Sequence, residues 1–301
     1  MLSIPHITVC VCTFRRPRLL TDLVTALNRQ VTNGEFTFSL VVADNDAAGS
    51  ARPTVETLKR QVSFSIVYAV EPVQNIALAR NRAVAEATGD YVAFIDDDEV
   101  PPPDWLHRMF TALRAGASGG VLGPVLPRYE VPPPRWAVKS GFFERPSHPT
   151  GYRLRWFECR TGNVLMKRHL LSEVEGPFRA ECGHGGEDRD LFKRLIDRGH
   201  EFTWCAEAAV HETIPAHRLR RSFQMRRALL RGKASLAQSS FSAVDVVKSV
   251  AASVAYSISL PFLLLCGDHL FMKYLIKDLD HIGRLLALCG IDVVREAYVT
   301  E

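Results

Sequence analysis

Runs of apolar residues alternate along the first part of the chain with stretches in which apolar residues recur every three or four positions. The apolar runs predict buried strands, and the three- and four-residue spacing predicts helices between them. The predicted strands cover residues 6–13, 38–43, 64–70 and 91–95, and the predicted helices cover residues 18–30, 76–87 and 104–115, with weaker helical character before Lys59. Strands and helices that alternate in this way predict a mostly parallel α/β sheet flanked by helices.

The pattern becomes less regular after the first half of the predicted sheet. Seven prolines fall within residues 124–149. Because proline interrupts helices, this stretch is expected to be a long loop, either beside an active site or a plain surface connector. Residues 202–205 and 208–211 predict a last pair of short strands.

A charge-free segment distinguishes the C-terminal part of the chain. Residues 249–267 form a run of 19 residues without a formal charge, close to the ~20 apolar residues that span a bilayer core. Four serines and Pro261 interrupt its apolar character. Three interpretations stay open: a membrane span, an interfacial helix, and a buried helix pair broken at the proline.

An amphipathic helix is predicted after this segment, because apolar residues recur at helical spacing through residues 270–290. We therefore divide the chain into a catalytic domain of residues 1–235 and a helical, membrane-associating segment of residues 236–301.

The composition is that of a globular protein. The 301 residues are 47% hydrophobic and 23% charged, which excludes a disordered, collagen-like or coiled-coil chain. Seven of the 37 Lys and Arg residues lie in residues 217–233, a stretch without an acid, and the other 30 are outnumbered by 33 acids. We call residues 217–233 the basic strip. A local strip of this kind indicates an anionic ligand or membrane headgroups rather than a nucleic-acid partner.

Seven cysteines without a CxxC pair argue against a disulfide framework or a zinc site and favour the reducing cytosol. Cys10 and Cys12 lie two apart in a predicted strand, so both are expected on one face as small core residues. The N-terminus lacks a basic region followed by an apolar one, and export is not indicated.

Acidic residues follow the second and fourth predicted strands. Asp44 ends one strand, and Asp96, Asp97 and Asp98 end the other. Ligands of open α/β sheets bind outside the carboxyl ends of strands, so these acids are expected to share one crevice. Three consecutive carboxylates repel one another unless a cation binds, and Mg²⁺ or Mn²⁺ is the natural counter-charge. Strand alternation predicts Asp96 and Asp98 on one side. The alternative is a solvated acidic turn.

Two further patterns are candidates for chemistry. A glycine-rich stretch, residues 183–186, precedes Glu187 and Asp188 at the predicted start of a helix. These acids suit either a helix cap or a general base on a movable loop. His211 precedes the basic strip, where it suits a structural role or a contact with metal or diphosphate. The arginines of the strip suit phosphate oxygens and anionic lipid equally well.

These elements, in this order, resemble family 2 glycosyltransferases with the GT-A fold, over roughly residues 5–235. The motifs that carry the resemblance are Thr-Phe-Arg-Arg-Pro at 13–17, the strand ending in Asp44, Ala-Arg-Asn at 79–81, the Asp triplet at 96–98, Gly-Asn at 162–163 and Glu-Asp at 187–188. The resemblance implies donor binding by Thr13, Arg15, Asp44, Asn75, Arg80, Asp96, Asp97, Gly162, Asn163 and Arg218.

The family also implies roles for its acids. Asp98 would hold Mg²⁺ or Mn²⁺, with Asp96 and His211 as further metal contacts. Asp188 would be the catalytic base, with Glu187 beside it. Two departures matter: the Gln-x-x-Arg-Trp motif of processive members is absent, which favours transfer of a single sugar, and Asn45 replaces a commoner Asp in the motif that contacts the base of the nucleotide.

The resemblance implies an inverting transfer from a nucleotide diphosphate sugar, of UDP-hexose type, to a glycan or lipid-linked saccharide. The motifs ending at Asp46 and Asp190 are most similar to bacterial exopolysaccharide glucosyltransferases of the succinoglycan type. The enzyme is expected in the cytoplasm, at the inner face of the cell membrane.

Two other functions compete with this one. A metal-dependent nucleotidyltransferase normally has a glycine-rich phosphate loop after the first strand, and residues 13–18 contain no glycine. A non-catalytic, membrane-bound carbohydrate-binding protein would not need the acids to converge.

Overall fold

A computed structural model describes residues 4–183, 185–237 and 242–294. The strands are β1 His6–Thr13, β2 Thr37–Asp44, β3 Ile66–Val70, β4 Tyr91–Phe94, β5 Glu99–Val100, β6 Gly120–Leu122, β7 Val125–Tyr129, β8 Val164–Lys167, β9 Phe202–Trp204 and β10 Val210–Ile214. The α-helices are α1 Pro17–Leu27, α2 Arg52–Leu58, α3 Ile76–Ala85, α4 Trp105–Ala115, α5 Arg135–Lys139, α6 His169–Ser172, α7 Glu187–Asp197, α8 Arg221–Ala234, α9 Ala243–Cys266 and α10 Asp268–Leu288.

Seven strands form one mixed, mostly parallel sheet in the order β3-β2-β1-β4-β8-β6-β9. Parallel pairs join β1 to β2 and β4, β2 to β3, and β6 to β9, whereas β8 runs antiparallel to both of its neighbours. The chain moves outward from β1 to β3 and then returns to place β4 on the other side of β1. This reversal of strand order creates the switch point at which α/β sheets bind ligands.

Alternation along β1 supplies a hydrophobic core on each face of this sheet. Val9 and Val11 pack on the face covered by α1, α2 and α4. Cys10 belongs to the core on the opposite face with α3 and α7, and Cys12 packs against that core. The prediction that the two cysteines share one face is confirmed, and all seven cysteines are free.

The chain divides into two compact units. The first contains Met1–Leu126, Arg145–Gly183 and Glu187–Glu212, and the second contains Pro127–Glu144, His184–Gly186 and Thr213–Glu301. This division differs from the predicted boundary at residue 235, because α8 clusters with the helices that follow it.

Close backbone packing explains why α8 belongs to the second unit. A Cβ added at Gly232 of α8 would lie 2.1 Å from the carbonyl oxygen of Asp280, and one at Gly283 of α10 would lie 2.3 Å from that of Leu229. The two helices therefore touch backbone to backbone, and only glycine fits at these two contacts.

Two local expectations were wrong, and one interpretation that the sequence left open is excluded. The proline-rich stretch contains β7 and α5 rather than loop alone, because Pro127 lies in an edge strand and Pro134 stands at the N-cap of α5. The last two strands are not a pair, because β9 joins β6 in the large sheet and β10 joins β5 in a small three-stranded one. The helix α9 is not broken at Pro261 and continues through it, since one proline removes only one hydrogen bond of a long helix.

Replacing Gly232 by Val should destabilise the second unit by about 1–3 kcal/mol, because the added carbons must displace the backbone of α10. Thermal unfolding followed by circular dichroism measures the loss. Gly116→Ala is the control, since a Cβ there meets no atom closer than 3.8 Å. Equal melting temperatures for Gly232→Val and the wild type would contradict the close packing.

Candidate active site

The carboxyl ends of β1, β2 and β4 bring the predicted acids to one edge of the sheet. Thr13 at the end of β1 lies in register with Asp44 at the end of β2, and β4 runs on the other side of β1. The hydroxyl of Thr13 donates to Asp97, which follows β4, at 2.7 Å. The two acidic groups therefore follow strands on either side of β1, and a crevice shared by them stays a prediction.

A buried arginine on α3 links this edge to the start of α7. Arg80 is 8% exposed, and its guanidinium pairs with Glu187 and lies 3.5 Å from Asp96. Burial by itself lowers the pKa of Arg80, but the carboxylates of Glu187 and Asp96 outweigh it and raise that pKa. Burial raises the pKa of Glu187, and the charge of Arg80 opposes this rise. Glu187 is thus held in place by Arg80.

A second arginine holds the other two acids of the triplet. Arg16 pairs with Asp97 at 3.0 Å and with Asp98 at 3.6 Å. Burial, followed by the neighbouring carboxylates of Glu212 and Asp97, raises the pKa of Asp98 to about 7. Around Asp98 the acidic side chains outnumber the arginines, as the run of three aspartates in the sequence suggested.

The expected pairing of Asp96 and Asp98 on one side was wrong. Asp96 faces Arg80, whereas Asp97 and Asp98 face Arg16. The strand ends at Phe94, and the backbone N–H of Asp96 donates to the carboxylate of Glu99 at 3.1 Å. The triplet therefore lies in a turn, where strand alternation no longer applies.

One buried carboxylate oxygen beside this turn lacks a partner. Burial, followed by the charges of Asp96 and Asp98, raises the pKa of Glu99 well above its usual range. Its Oε1 makes no hydrogen bond within the described part of the chain. A Cβ at Gly162 would lie 2.8 Å from that oxygen and 3.2 Å from Asp96. Gly162, predicted to lie beneath the donor sugar, therefore lies against the acidic turn.

Glu212, rather than the predicted His211, faces the acidic turn. His211 is exposed on β10, whereas Glu212 is 8% exposed and pairs with Arg145 at 2.5 Å. The described residues contain no group of three or more His, Cys, Asp or Glu side chains placed to hold a metal ion. A metal contact by His211, Asp96 or Asp98 stays a prediction. Strand alternation in β10 was the signal that could have identified Glu212.

The side chain of Asn163 is fully buried and holds neighbouring segments together. The Oδ1 accepts from the indole of Trp105 at 2.7 Å, and the Nδ2 donates to the carbonyls of Pro124 and Ala208 at 2.8 Å each. The side chain therefore joins the start of β8 to two neighbouring loops, and its contact with a donor sugar stays a prediction.

Asp44 is also fully buried and organises the loop after β2. Its carboxylate accepts from the backbone of Ala51 and the hydroxyl of Tyr68, each at 2.7 Å. Arg15 nearby pairs with Asp46 at 3.0 Å, and this hydrogen bond lowers the pKa of Asp46. Donor contacts of Asp44 and Arg15 stay predictions, with Arg15 the more accessible of the two.

Asn75 caps α3 and holds the segment that leads into the glycine-rich stretch. Its Oδ1 accepts from the backbone N–H of Ala77 and Leu78, and its Nδ2 donates to the carbonyl of Ala180 at 2.8 Å. A Cβ at Gly183 would lie 1.9 Å from Oδ1 of Asn75, so only glycine allows this approach. The next residue of the predicted glycine-rich stretch, 184, lies outside the described residues.

Asp188 occupies the first turn of α7 and is half-buried. Its Oδ1 accepts from the backbone N–H of Arg189 at 2.7 Å. The short 3₁₀ helix Trp156–Glu158 packs against α7. Partial burial and the charges of Arg189 and Arg145 lower the pKa of Arg160, and Asp188 opposes this. Sequence patterns did not identify Arg145 or Arg160, because their neighbours are distant in the chain, and Arg16 was noted only as part of the motif at residues 13–17.

The basic strip was predicted to meet diphosphate or lipid, but internal ion pairs use part of it. Acids that follow much later in the chain supply the partners, which the pattern of the strip itself does not show. The pairs are Arg221 with Asp268 at 2.5 Å, Arg231 with Asp280 at 2.9 Å and Lys233 with Asp292 at 2.7 Å. Arg218 belongs to the second unit, and its contact with a donor stays a prediction.

Comparison with known proteins identifies the family. Residues 8–173 match the family described as "Glycosyl transferase family 2". The chain belongs to glycosyltransferase family 2. Residues 143–218 also match the family described as "N-terminal domain of galactosyltransferase". Membership in a glycosyltransferase family decides against the nucleotidyltransferase and the non-catalytic alternatives.

Two curated relatives extend this result. The succinoglycan biosynthesis protein ExoM of Rhizobium meliloti (strain 1021) is 39% identical over 71% of this chain and 68% of its own length. The chondroitin synthase of Pasteurella multocida (strain Pm70) is 25% identical over 64% of this chain, but this covers only 23% of the synthase.

A solved structure supports the GT-A fold of this family 2 enzyme. S. aureus TarS 1–349, in complex with UDP-GlcNAc, matches with a TM-score of 0.54 over 96% of this chain and 95% of its own. The sequence identity is 16%, so the likeness concerns the fold.

Removing the guanidinium of Arg80 should destabilise the first unit by about 3–5 kcal/mol, because Glu187 would keep a buried and unpaired charge. Without Arg80 the pKa of Glu187 rises further. An acid with a raised folded-state pKa is least costly when protonated, and stability is lost as the pH rises through that pKa. The melting temperature of Arg80→Ala should therefore fall further below that of the wild type at pH 8 than at pH 5.

The double variant Arg80→Met with Glu187→Leu is the control, since it removes both charges and should recover part of the loss. A pH-independent loss in Arg80→Ala would show that the ion pair is not its cause.

Proposed function

We propose that this enzyme transfers a single sugar from a nucleotide diphosphate sugar, of UDP-hexose type, to a glycan or lipid-linked saccharide, with inversion at the anomeric carbon. The observation that carries the proposal is the contrast between the two acids of the first turn of α7. Glu187 is 5% exposed and paired with Arg80, whereas Asp188 is half-buried and has no side-chain ion pair among the described residues. Asp188 is therefore the acid that can reach a substrate.

The reaction needs one base. Asp188 accepts the proton of the acceptor hydroxyl as this oxygen attacks the anomeric carbon on the face opposite the diphosphate. A single displacement with one base inverts the configuration, as in inverting glycosidases. Glu187 is less suited to take the proton, because Arg80 engages its Oε1 and its Oε2 is buried. Its role is to fix the first turn of α7.

The donor is proposed to bind at the carboxyl edge of β1, β2 and β4, where sheets of this type bind nucleotides. S. aureus TarS binds UDP-GlcNAc in its solved complex, which supports a nucleotide sugar as the donor for this chain also. ExoM is a succinoglycan biosynthesis protein, which supports an exopolysaccharide or cell-envelope glycan as the product. The enzyme would then work in the cytoplasm, at the inner face of the membrane.

The acidic turn has the chemistry of a divalent cation site. Its donors are carboxylate oxygens, which Mg²⁺ and Mn²⁺ prefer. Burial and the neighbouring carboxylates raise the pKa of Asp98, and Oε1 of Glu99 has no hydrogen-bond partner among the described residues. A bound cation would stabilise the ionised form of both acids. Asp98 would hold the ion, which would supply charge neutralisation on the departing diphosphate.

Replacing Asp188 by Asn should lower sugar transfer at least about 100-fold, because general base catalysis contributes 10²–10⁴-fold. The affinity for UDP, measured by calorimetry, should not change. Asp197→Asn, at the exposed end of α7, is the matched control and should keep wild-type rates. Near-normal transfer by Asp188→Asn would overturn the assignment of the base.

The donor is tested first, by a hydrolysis screen of UDP-, GDP- and dTDP-sugars with added Mn²⁺. The anomeric configuration of the product, read from NMR coupling constants, then tests inversion. A product that retains the configuration of the donor would contradict the single displacement.

Replacing Asp98 by Ala should weaken UDP binding about tenfold or more in the presence of Mn²⁺, because one ligand of the ion is lost. Without Mn²⁺ the variant and the wild type should bind UDP alike. Calorimetry with and without Mn²⁺ measures both affinities, with Asp22→Ala, at a partly exposed position of α1, as the control. If Mn²⁺ strengthens UDP binding equally in both proteins, Asp98 is not a ligand.

A further inference from the structure

The helix α9 exposes a continuous apolar stripe. Its residues recur at three- and four-residue steps, which places them on one helix face. The stripe consists of Val247, Val250, Val254, Ile258, Phe262 and Leu265. Ile258 is 65% exposed and Leu265 is 87% exposed. At 1.5 Å per residue the stripe is about 27 Å long.

Three serines of α9 form hydrogen bonds with side chains of α10. Ser253 and Ser257 donate to the carboxylate of Asp278 at 2.6 and 2.9 Å, and Arg284 donates to Ser249 at 2.8 Å. Asp278 is 2% exposed. A helix of a soluble protein normally buries its apolar side and exposes its polar side. The helix α9 does the reverse, so its outer face is built for an apolar surrounding.

The partner helix argues against a membrane span. The ring of Tyr256 in α9 lies 5.7 Å from that of Tyr274 in α10, so the two helices would enter a bilayer together. The contacts of Asp278 lie near the middle of α9, which would place this acid near the bilayer centre. The exposed Lys273 and Lys277 would follow it. Each such charge costs about 2.5–3.5 kcal/mol at that depth.

We propose that α9 lies in the plane of the membrane, with the stripe in contact with the acyl chains of one leaflet, and does not cross it. This specifies how the proposed membrane location is achieved, and it does not depend on the sugar that is transferred. In this orientation only the apolar stripe leaves water, and α10 remains above the lipid.

The stripe fits lipid better than a second copy of the chain. Interfaces between proteins usually centre on Trp, Tyr or Arg, whereas the stripe contains five aliphatic residues and one Phe. Exposed Lys248, Lys273 and Lys277 lie on the same helix pair, and such lysines attract anionic headgroups. A membrane containing anionic lipid is therefore the occupant to which we commit.

Vesicle flotation of the full chain tests the surface. The wild type should float with vesicles of phosphatidylcholine and phosphatidylglycerol, and less with phosphatidylcholine alone. Val254→Asp with Ile258→Asp should lower the bound fraction about tenfold or more, because two charges would enter the acyl region. Val138→Asp, exposed elsewhere in the second unit, is the matched control and should float like the wild type.

Leu265→Asp, at the most exposed position of the stripe, provides a second variant if the double variant does not fold. Circular dichroism and UDP-sugar hydrolysis in solution should stay at wild-type levels in all of these variants. Absence of hydrolysis in the wild type would count against the proposed function without affecting the flotation result. Unchanged flotation of folded stripe variants, or a wild type that dimerises through the stripe and does not float, would overturn the membrane surface.

The native cysteines distinguish an in-plane helix from a span. Cys266 ends α9 and Cys289 follows α10, and both are exposed. In sealed inside-out membrane vesicles, a maleimide that cannot cross the membrane should label both, and Cys266→Ser and Cys289→Ser variants identify each signal. If Cys266 is labelled only after the vesicles are opened, the helix crosses the membrane and the proposal fails.

Discussion

The candidate active site depends on the charge of one buried arginine. Arg80 lies on α3, and its partners come from the turn after β4 and from the first turn of α7. A guanidinium this deeply buried is tolerated only when carboxylates compensate for the lost water. The same pairing therefore fixes three segments that are far apart in sequence. Of the two acids in the first turn of α7, it engages Glu187 and not Asp188.

The other acids of the site are also paired with arginines, but here the arginines compensate the acids only in part. Arg16 compensates Asp97 and part of Asp98, and Arg145 compensates Glu212. The pKa of Glu99 is raised by burial and by two neighbouring acids, and the charge of Arg145 offsets only part of this rise. The arginines therefore offset only part of the negative charge that these acids carry when ionised. A divalent cation bound at the turn would supply positive charge that the arginines do not.

Sequence patterns predicted what depends on local periodicity. Apolar runs located the central strands, and the acids after β2 and β4 located the edge of the sheet that carries the site. Contacts across the chain were not predictable in this way. Asn163 was predicted to face a sugar, yet three distant groups use its side chain. The basic strip looked unpaired because its acidic partners follow in α10. Residues 96–98 looked like the continuation of a strand, although a backbone hydrogen bond from Glu99 to Asp96 already turns the chain there.

The sequence also could not predict which side of helix α9 is covered. A stretch of apolar residues with interspersed serines is compatible with a span, an interfacial helix or a buried helix, since composition does not tell which side of the helix is covered. The position of α10 shows which side of α9 is covered. On that side Asp278 accepts hydrogen bonds from Ser253 and Ser257. Once the polar side is inward, the outward aliphatic residues can no longer be core. The serines that weakened the membrane signal in the sequence are therefore the residues that direct the stripe outward.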